Sequence, residues 1–294
     1  MNFGFIYDWR ATEKFAGENK RPLFRICANA ITGSGRGKMQ LLYKCVNEIT
    51  GGLPSANQGI GDCVSHGGAT TIDHTYCAQI KNGSRHQWKS RTASEPLYAL
   101  SRVEIGKRQL GNRDGSCGAW LAKAVTEKGT LVRDVYGKYD LRNYNSTRAK
   151  EWGYTGLPDD LEPTAFEHKI QTASLVTTYY DAIDALQNGY AIIVCSSQGF
   201  SNKRDADGFA RPEGVWYHAQ SIIGYDDTFK RPGCLIQNSW GPSWITGPKR
   251  LDQPDGSYWV DAHIIDKMLG TDPDSYALSG YDGFPSQELD YTLI

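Results

Sequence analysis

Upstream of Gly189 apolar residues recur at helical spacing, and downstream they gather in short β-branched runs. That switch of period limits what the 294-residue chain can fold into. Val64, Ala69, Ile72, Tyr76 and Ile80 describe one helix, with Asp62 placed to cap its start and Asn82-Gly83 to end it. A second helix is expected over residues 119–128, closed by Gly129, and a third over 180–188, with Ile183 and Leu186 facing inward. Residues 190–196, 217–225, 234–238 and 257–260 then read as strands, and 198–214 as a long polar surface loop. Helices first and strands second predict an α+β protein of two packed lobes. The helical lobe is expected at about 51–165 and the β lobe at about 166–270, between an N-terminal extension (1–50) and a C-terminal tail (271–294). No internal repeat is visible.

Composition narrows the function classes. With 39% hydrophobic and 22% charged residues the chain can bury an ordinary core. Lys and Arg number 32 against 33 Asp and Glu, and no basic stretch is dense enough to track phosphates, which argues against a nucleic-acid partner. The longest apolar runs, such as 191–195, are too short to cross a bilayer, so no membrane partner is expected. The first ten residues lack a basic segment followed by an apolar one, so no signal peptide is expected. Seven cysteines form no dense disulfide framework and read as free thiols in a reducing compartment, the cytoplasm or the inside of a viral or phage particle. In such a compartment the Asn-x-Ser/Thr triplets at Asn82 and Asn145 carry no sugar. The glycine cluster at 32–38 ends Gly-Lys-Met instead of Gly-Lys-Ser/Thr, and reads as a flexible loop, not a phosphate cradle.

Three segments carry chemistry. Asn57-Gln58-Gly59-Ile60-Gly61-Asp62-Cys63 places a cysteine at a helix N-terminus, where free N–H groups and the helix dipole favour a thiolate. Gln58 can turn an amide N–H toward the same point, beside the Cys63 N–H, as an oxyanion donor. The second segment, residues 215–225, sets His218 at the start of an apolar strand, and the third, 235–241, sets Asn238 and Trp240 at the end of the next. If those strands pair, Asn238 can accept from one ring nitrogen of His218 and fix its tautomer, with Trp240 covering the contact.

The order Gln, Cys, His, Asn, with Asn57-Gln58-Gly59, His218-Ala219, Ile222-Ile223-Gly224-Tyr225 and Asn238-Ser239-Trp240-Gly241, resembles the papain family of cysteine peptidases over residues 57–260. The resemblance implies a two-lobed fold, a helical lobe bearing the cysteine and an antiparallel, barrel-like β lobe bearing the histidine and asparagine, with the active-site cleft between them. It implies Cys63 as nucleophile, His218 as general base and acid, Asn238 as its orienting partner and Gln58 as oxyanion donor. Asp114-Gly115-Ser116-Cys117-Gly118 resembles the glycine-bearing strip that holds substrate backbone, so Ser116, Cys117, Gly118 and Trp240 are expected to contact a peptide or protein substrate. The chemistry passes through a thioester and calls for no metal or other cofactor.

The chain also departs from that pattern. Gln58 and Cys63 are one residue closer than in the family, Val64 stands where an aromatic usually follows the nucleophile, and Asp62 would raise the thiol pKa. Only 62 residues precede Cys63, too few for the family's long inhibitory prosegment, and Asp8-Trp9-Arg10 echoes the start of mature chains only by coincidence. Acyl transfer or isopeptide cleavage on the same residues is an alternative. Another is a papain-like scaffold with little turnover and a protein assembly partner, for example in a viral assembly. Cys63-x-x-His66 and His74-x-x-Cys77 carry zinc-ligand types, but on one helix the two pairs lie turns apart, and His66 and His74 read as helix-surface residues.

Overall fold

The computed structural model describes residues 3–18, 33–84 and 86–281. Helices α1 (Trp9–Glu18), α2 (Leu42–Thr50), α3 (Cys63–Lys81), α4 (Ser94–Ala99), α5 (Gly118–Glu127), α6 (Ser146–Thr155) and α7 (Glu162–Phe166) come first. A π-helical turn, Leu100–Ile105, continues α4. Strands β1 (Met39–Leu41), β2 (Val135–Tyr136), β3 (Tyr139–Asp140) and β4 (Ile170–Leu175) punctuate this half. Then follow α8 (Tyr179–Gln187), β5 (Ile192–Arg204), β6 (Ala210–Asp226), β7 (Gly233–Gln237), β8 (Ser257–Asp261), α9 (Ala262–Gly270) and β9 (Tyr276–Tyr281).

The centre of the molecule is α3. A surface helix would bury one stripe, but α3 is buried on nearly every side because helices flank it and the sheet lies behind it. Two glycines make that approach possible: a Cβ on Gly67 would sit 3.1 Å from the Gln220 carbonyl of β6, and one on Gly68 would sit 2.4 Å from Leu121 of α5. Polar side chains on the buried faces find partners, as where Thr71 and Ser221 hydroxyls meet at 2.9 Å and the Thr75 hydroxyl accepts from Ala191 N–H at 3.0 Å. His66 and His74 are correspondingly buried, not surface residues: Tyr144 covers the first, and His74 Nδ1 lies 2.8 Å from the Thr70 carbonyl oxygen.

Among the described residues seven antiparallel strands form the sheet, in the order β4-β9-β5-β6-β7-β8, with β1 added along β6. Thus a strand from the segment read as an extension and another from the segment read as a tail both join it. The expected loop at 198–214 is instead the far end of the β5–β6 hairpin, paired as far as Arg204 opposite Ala210. Buried anchors hold it there: Phe200, Phe209 and the Arg204 guanidinium, which donates to the Ser257 and Gly247 carbonyls at 2.9 Å each. The glycine cluster, from Gly33 on, is a turn whose Gly35 and Gly37 N–H groups donate to Asp184 and Asp227 carboxylates at 2.7 Å each.

The two halves have their own apolar clusters, joined through α3. One gathers α2, α8, α9 and the sheet around Leu42, Ile183, Leu186 and Ile236. Another gathers α3, α5 and β9 around Ile72, Leu121 and Leu278. Among the described residues no helix is long and apolar enough to cross a membrane.

A buried ion triad fastens the helical half. Glu95, fully buried, lies 2.7 Å from Arg133 of the loop after α5 and 2.7 Å from Arg148 of α6. Glu95→Ala strands two largely desolvated guanidinium groups and is expected to cost about 3–5 kcal/mol of unfolding free energy, read by urea denaturation.

Candidate active site

Cys63 is the first residue of α3, His218 lies within β6, and Asn238 follows the last residue of β7. Ser221 pairs with Gln237 across β6 and β7, and that register carries Asn238 to the level of His218. His218 Nε2 donates to Asn238 Oδ1 at 2.8 Å, and the same oxygen accepts from Ser239 N–H at 2.7 Å. The acceptor therefore fixes the proton on Nε2 and leaves Nδ1 as the basic nitrogen, which has no hydrogen-bond partner among the described residues. Trp240 stacks on the imidazole, centroids 4.5 Å apart and planes at 24°, with Trp216 and Trp244 behind it. This aromatic wall excludes water that would compete for the His–Asn bond.

The Cys63 sulfur accepts from the N–H of Ala219, next to His218, at 3.4 Å. Burial pushes the thiol pKa far up, and the adjacent Asp62 charge adds to it, against the Ala219 and Val64 N–H groups. Asp62 stands at the N-cap position, but its side chain makes no cap hydrogen bond. Burial also drives the His218 pKa down from 6.5 to about 4, resisted by the Asn238 bond. Both groups are therefore neutral near pH 7 in this arrangement.

What covers them is the chain's own beginning. Phe3 N–H donates to the Tyr217 carbonyl at 3.0 Å, and Gln58 Nε2 donates to the Phe3 carbonyl at 3.2 Å. Ser116 N–H then donates to Gly4 O at 2.8 Å, and Ile6 N–H to Ser116 O at 2.9 Å. Phe3 packs on Trp240 and His218, and Phe5 is buried in the cluster that contains Cys63, Cys117, Ala219 and Tyr276. Asp8 then caps α1, accepting from Arg10 and Ala11 N–H groups at 3.1 and 3.2 Å. Sequence reasoning missed this strap; its signal was the Phe-Gly-Phe alternation of apolar and small residues at 3–5.

The remaining expected residues fall around it. Gln58 also donates to Ile60 O at 2.9 Å and accepts from the Ser239 hydroxyl at 2.7 Å, which fixes its amide at the strap. Ser116 meets the strap through its backbone, Cys117 is buried at the head of α5, and Gly118 gives its N–H to the buried Asp274 at 2.6 Å. Six cysteines, at 45, 63, 77, 117, 195 and 234, are free and buried, and Cys27 lies outside the described residues. Among the described residues no three His, Cys, Asp or Glu side chains converge as a metal site.

No protein-family sequence model matches the chain, and no curated protein matches it by sequence. Solved structures do match. The chain is similar to xylellain, a cysteine protease from Xylella fastidiosa, with a TM-score of 0.59 over 94% of this chain and 95% of that one at 16% identity. It is also similar to procathepsin B from Trypanosoma congolense, with a TM-score of 0.52 over 85% and 77% of the two chains at 13% identity. The chain thus has the papain-like fold, a helical part packed with an antiparallel sheet.

Gly4 tests how the strap is seated. Its φ is +114°, and a Cβ there would lie 2.0 Å from the Gly61 carbonyl oxygen. Gly4→Ala is expected to lift the strap and lower amide hydrogen-exchange protection at Ile6 and Ser116 by about tenfold or more, with the β6–β7 amides unchanged.

Proposed function

We propose that the protein is a cysteine peptidase acting on peptide or protein substrates through Cys63, His218 and Asn238. One observation carries this reading: the buried His218–Asn238 hydrogen bond under Trp240, with the basic ring nitrogen unspent and the thiol held against the next residue's N–H.

Departure of the strap admits water and substrate, and the burial that keeps thiol and imidazole neutral is relieved. The Cys63 proton passes to His218 Nδ1, and the thiolate attacks the scissile carbonyl carbon. Gln58 Nε2, released from the Phe3 carbonyl, and the Cys63 N–H receive the oxyanion. The tetrahedral adduct collapses as His218 gives its proton to the leaving amine. A water molecule, deprotonated by His218, then hydrolyses the thioester and frees the thiol. The Ser116 backbone, which now pairs with the strap, holds the extended substrate in the same way.

The occupied cleft and neutral thiol give the second reading its footing: a scaffold that binds a partner without turnover. Hydrolysis of a quenched-fluorescent peptide library separates the two. The peptidase reading expects cleavage that is lost in Cys63→Ala and faster in a chain lacking residues 1–7. No cleavage by either protein, with stoichiometric binding that survives Cys63→Ala, overturns it.

The strap also carries a pH sign. His218 binds its proton less readily when covered, so protons favour the uncovered form as pH falls from 6.5 toward 4. Acidification across that window is expected to release the strap, read as a change in tryptophan fluorescence from Trp240 and Trp216, and the change is expected to be absent in His218→Ala.

A further inference from the structure

Behind the nucleophile lies a buried polar cluster with no part in the chemistry above. Asp62, immediately before Cys63, is fully buried, and an isolated carboxylate there would oppose the thiolate. Its Oδ2 accepts from the Tyr144 hydroxyl at 2.8 Å and lies 3.4 Å from Nε2 of His66, one turn along α3. His66 is itself buried, its ring edge-on to Tyr144 at 4.7 Å. Tyr144 also accepts from Gly59 N–H at 3.2 Å, so one hydroxyl ties the loop bearing Gln58 to the carboxylate.

The other charges around His66 are already matched. The cavity it lines also holds Arg91, Arg133 and Arg142. These lie 3.9, 2.7 and 2.6 Å from Asp73, Glu95 and Asp140 respectively. On the other side lies His218 of β6, whose proton affinity it lowers. Asp62 in turn faces Tyr98, and Asp114 lies across the loop at Gly61.

We propose that His66 is a positioning residue for the nucleophile: its Nε2, 3.4 Å from Asp62 Oδ2, holds that carboxylate toward itself and offsets, at Cys63, the charge of the preceding residue. Tyr144 holds both the carboxylate and the loop in register. The chain thereby keeps an acidic residue beside its thiolate, a place where an unpaired carboxylate would suppress the nucleophile. This rests on the reading of Cys63 as nucleophile.

The test is the pH profile of Cys63 alkylation by iodoacetamide in the full chain, resolved by mass spectrometry, with His218→Ala as reference. His66→Gln is expected to slow labelling about tenfold near pH 6–7, the low end for a charge at ~4–6 Å. Asp62→Asn/His66→Gln is expected to restore the wild-type profile, a rescue that loss of mere packing would not give. An unchanged profile in His66→Gln overturns the proposal, as does a double variant as slow as the single one. If His66→Gln does not fold, Asp62→Asn is compared with the double variant: equal profiles support the proposal, and a further loss overturns it. A wild-type profile that is ordinary and indifferent to His218→Ala, both in the full chain and in the chain lacking residues 1–7, overturns the nucleophile reading as well. A His218-dependent wild type with an unaffected His66→Gln overturns this inference alone.

Discussion

The hydrogen bond from His218 Nε2 to Asn238 Oδ1 sets the terms for the rest of the site. It exists because β6 and β7 pair with Ser221 opposite Gln237; a one-residue slip would turn every side chain to the other face and separate the two groups. The pairing is in turn held by the burial of β6 against α3, where Gly67 lets the helix backbone approach the strand. That approach sets Cys63, at the head of α3, beside Ala219. Register, helix approach and cysteine placement are thus one constraint seen from three residues.

Desolvation works on this site in two directions. The aromatic wall of Trp216, Trp240 and Trp244 shields the His–Asn bond, which strengthens it. The strap extends the same shielding to the thiol and the free ring nitrogen, where it suppresses charge. Thiol and imidazole are therefore both held neutral while residues 3–6 cover them. The strap occupies Gln58 Nε2 and the Ser116 backbone, the groups the proposed mechanism assigns to substrate, so under that proposal covering and binding are mutually exclusive.

The parts legible in the sequence were those with local signals. A cysteine after a Gly-x-Gly-Asp turn, a histidine heading an apolar strand and an Asn-Ser-Trp-Gly ending each announce themselves within a few residues, and the helices near 63, 118 and 179 carry their own period. What stayed hidden depends on distant partners. β9 enters the sheet between β4 and β5, and β1 adds to β6, pairings that no short window reports. Residues 198–214 look polar because their anchors are sparse, yet Phe200, Phe209 and Arg204 are enough to make them a hairpin. His66 looked like a surface residue until Tyr144, far along the chain, covered it. The strap's seat joins Gly61 and Ser116 of the helical half to Tyr217 of the sheet, partners far apart in the chain.

The most direct measurement is the mass of the trapped acyl-enzyme. The chain lacking residues 1–7 is mixed with a peptide thioester, quenched in acid within milliseconds to seconds, and mapped by tandem mass spectrometry. The account predicts one peptidyl adduct, on Cys63, which decays on longer incubation and is absent in His218→Ala. No adduct on Cys63, or an adduct that forms equally well without His218, would contradict it.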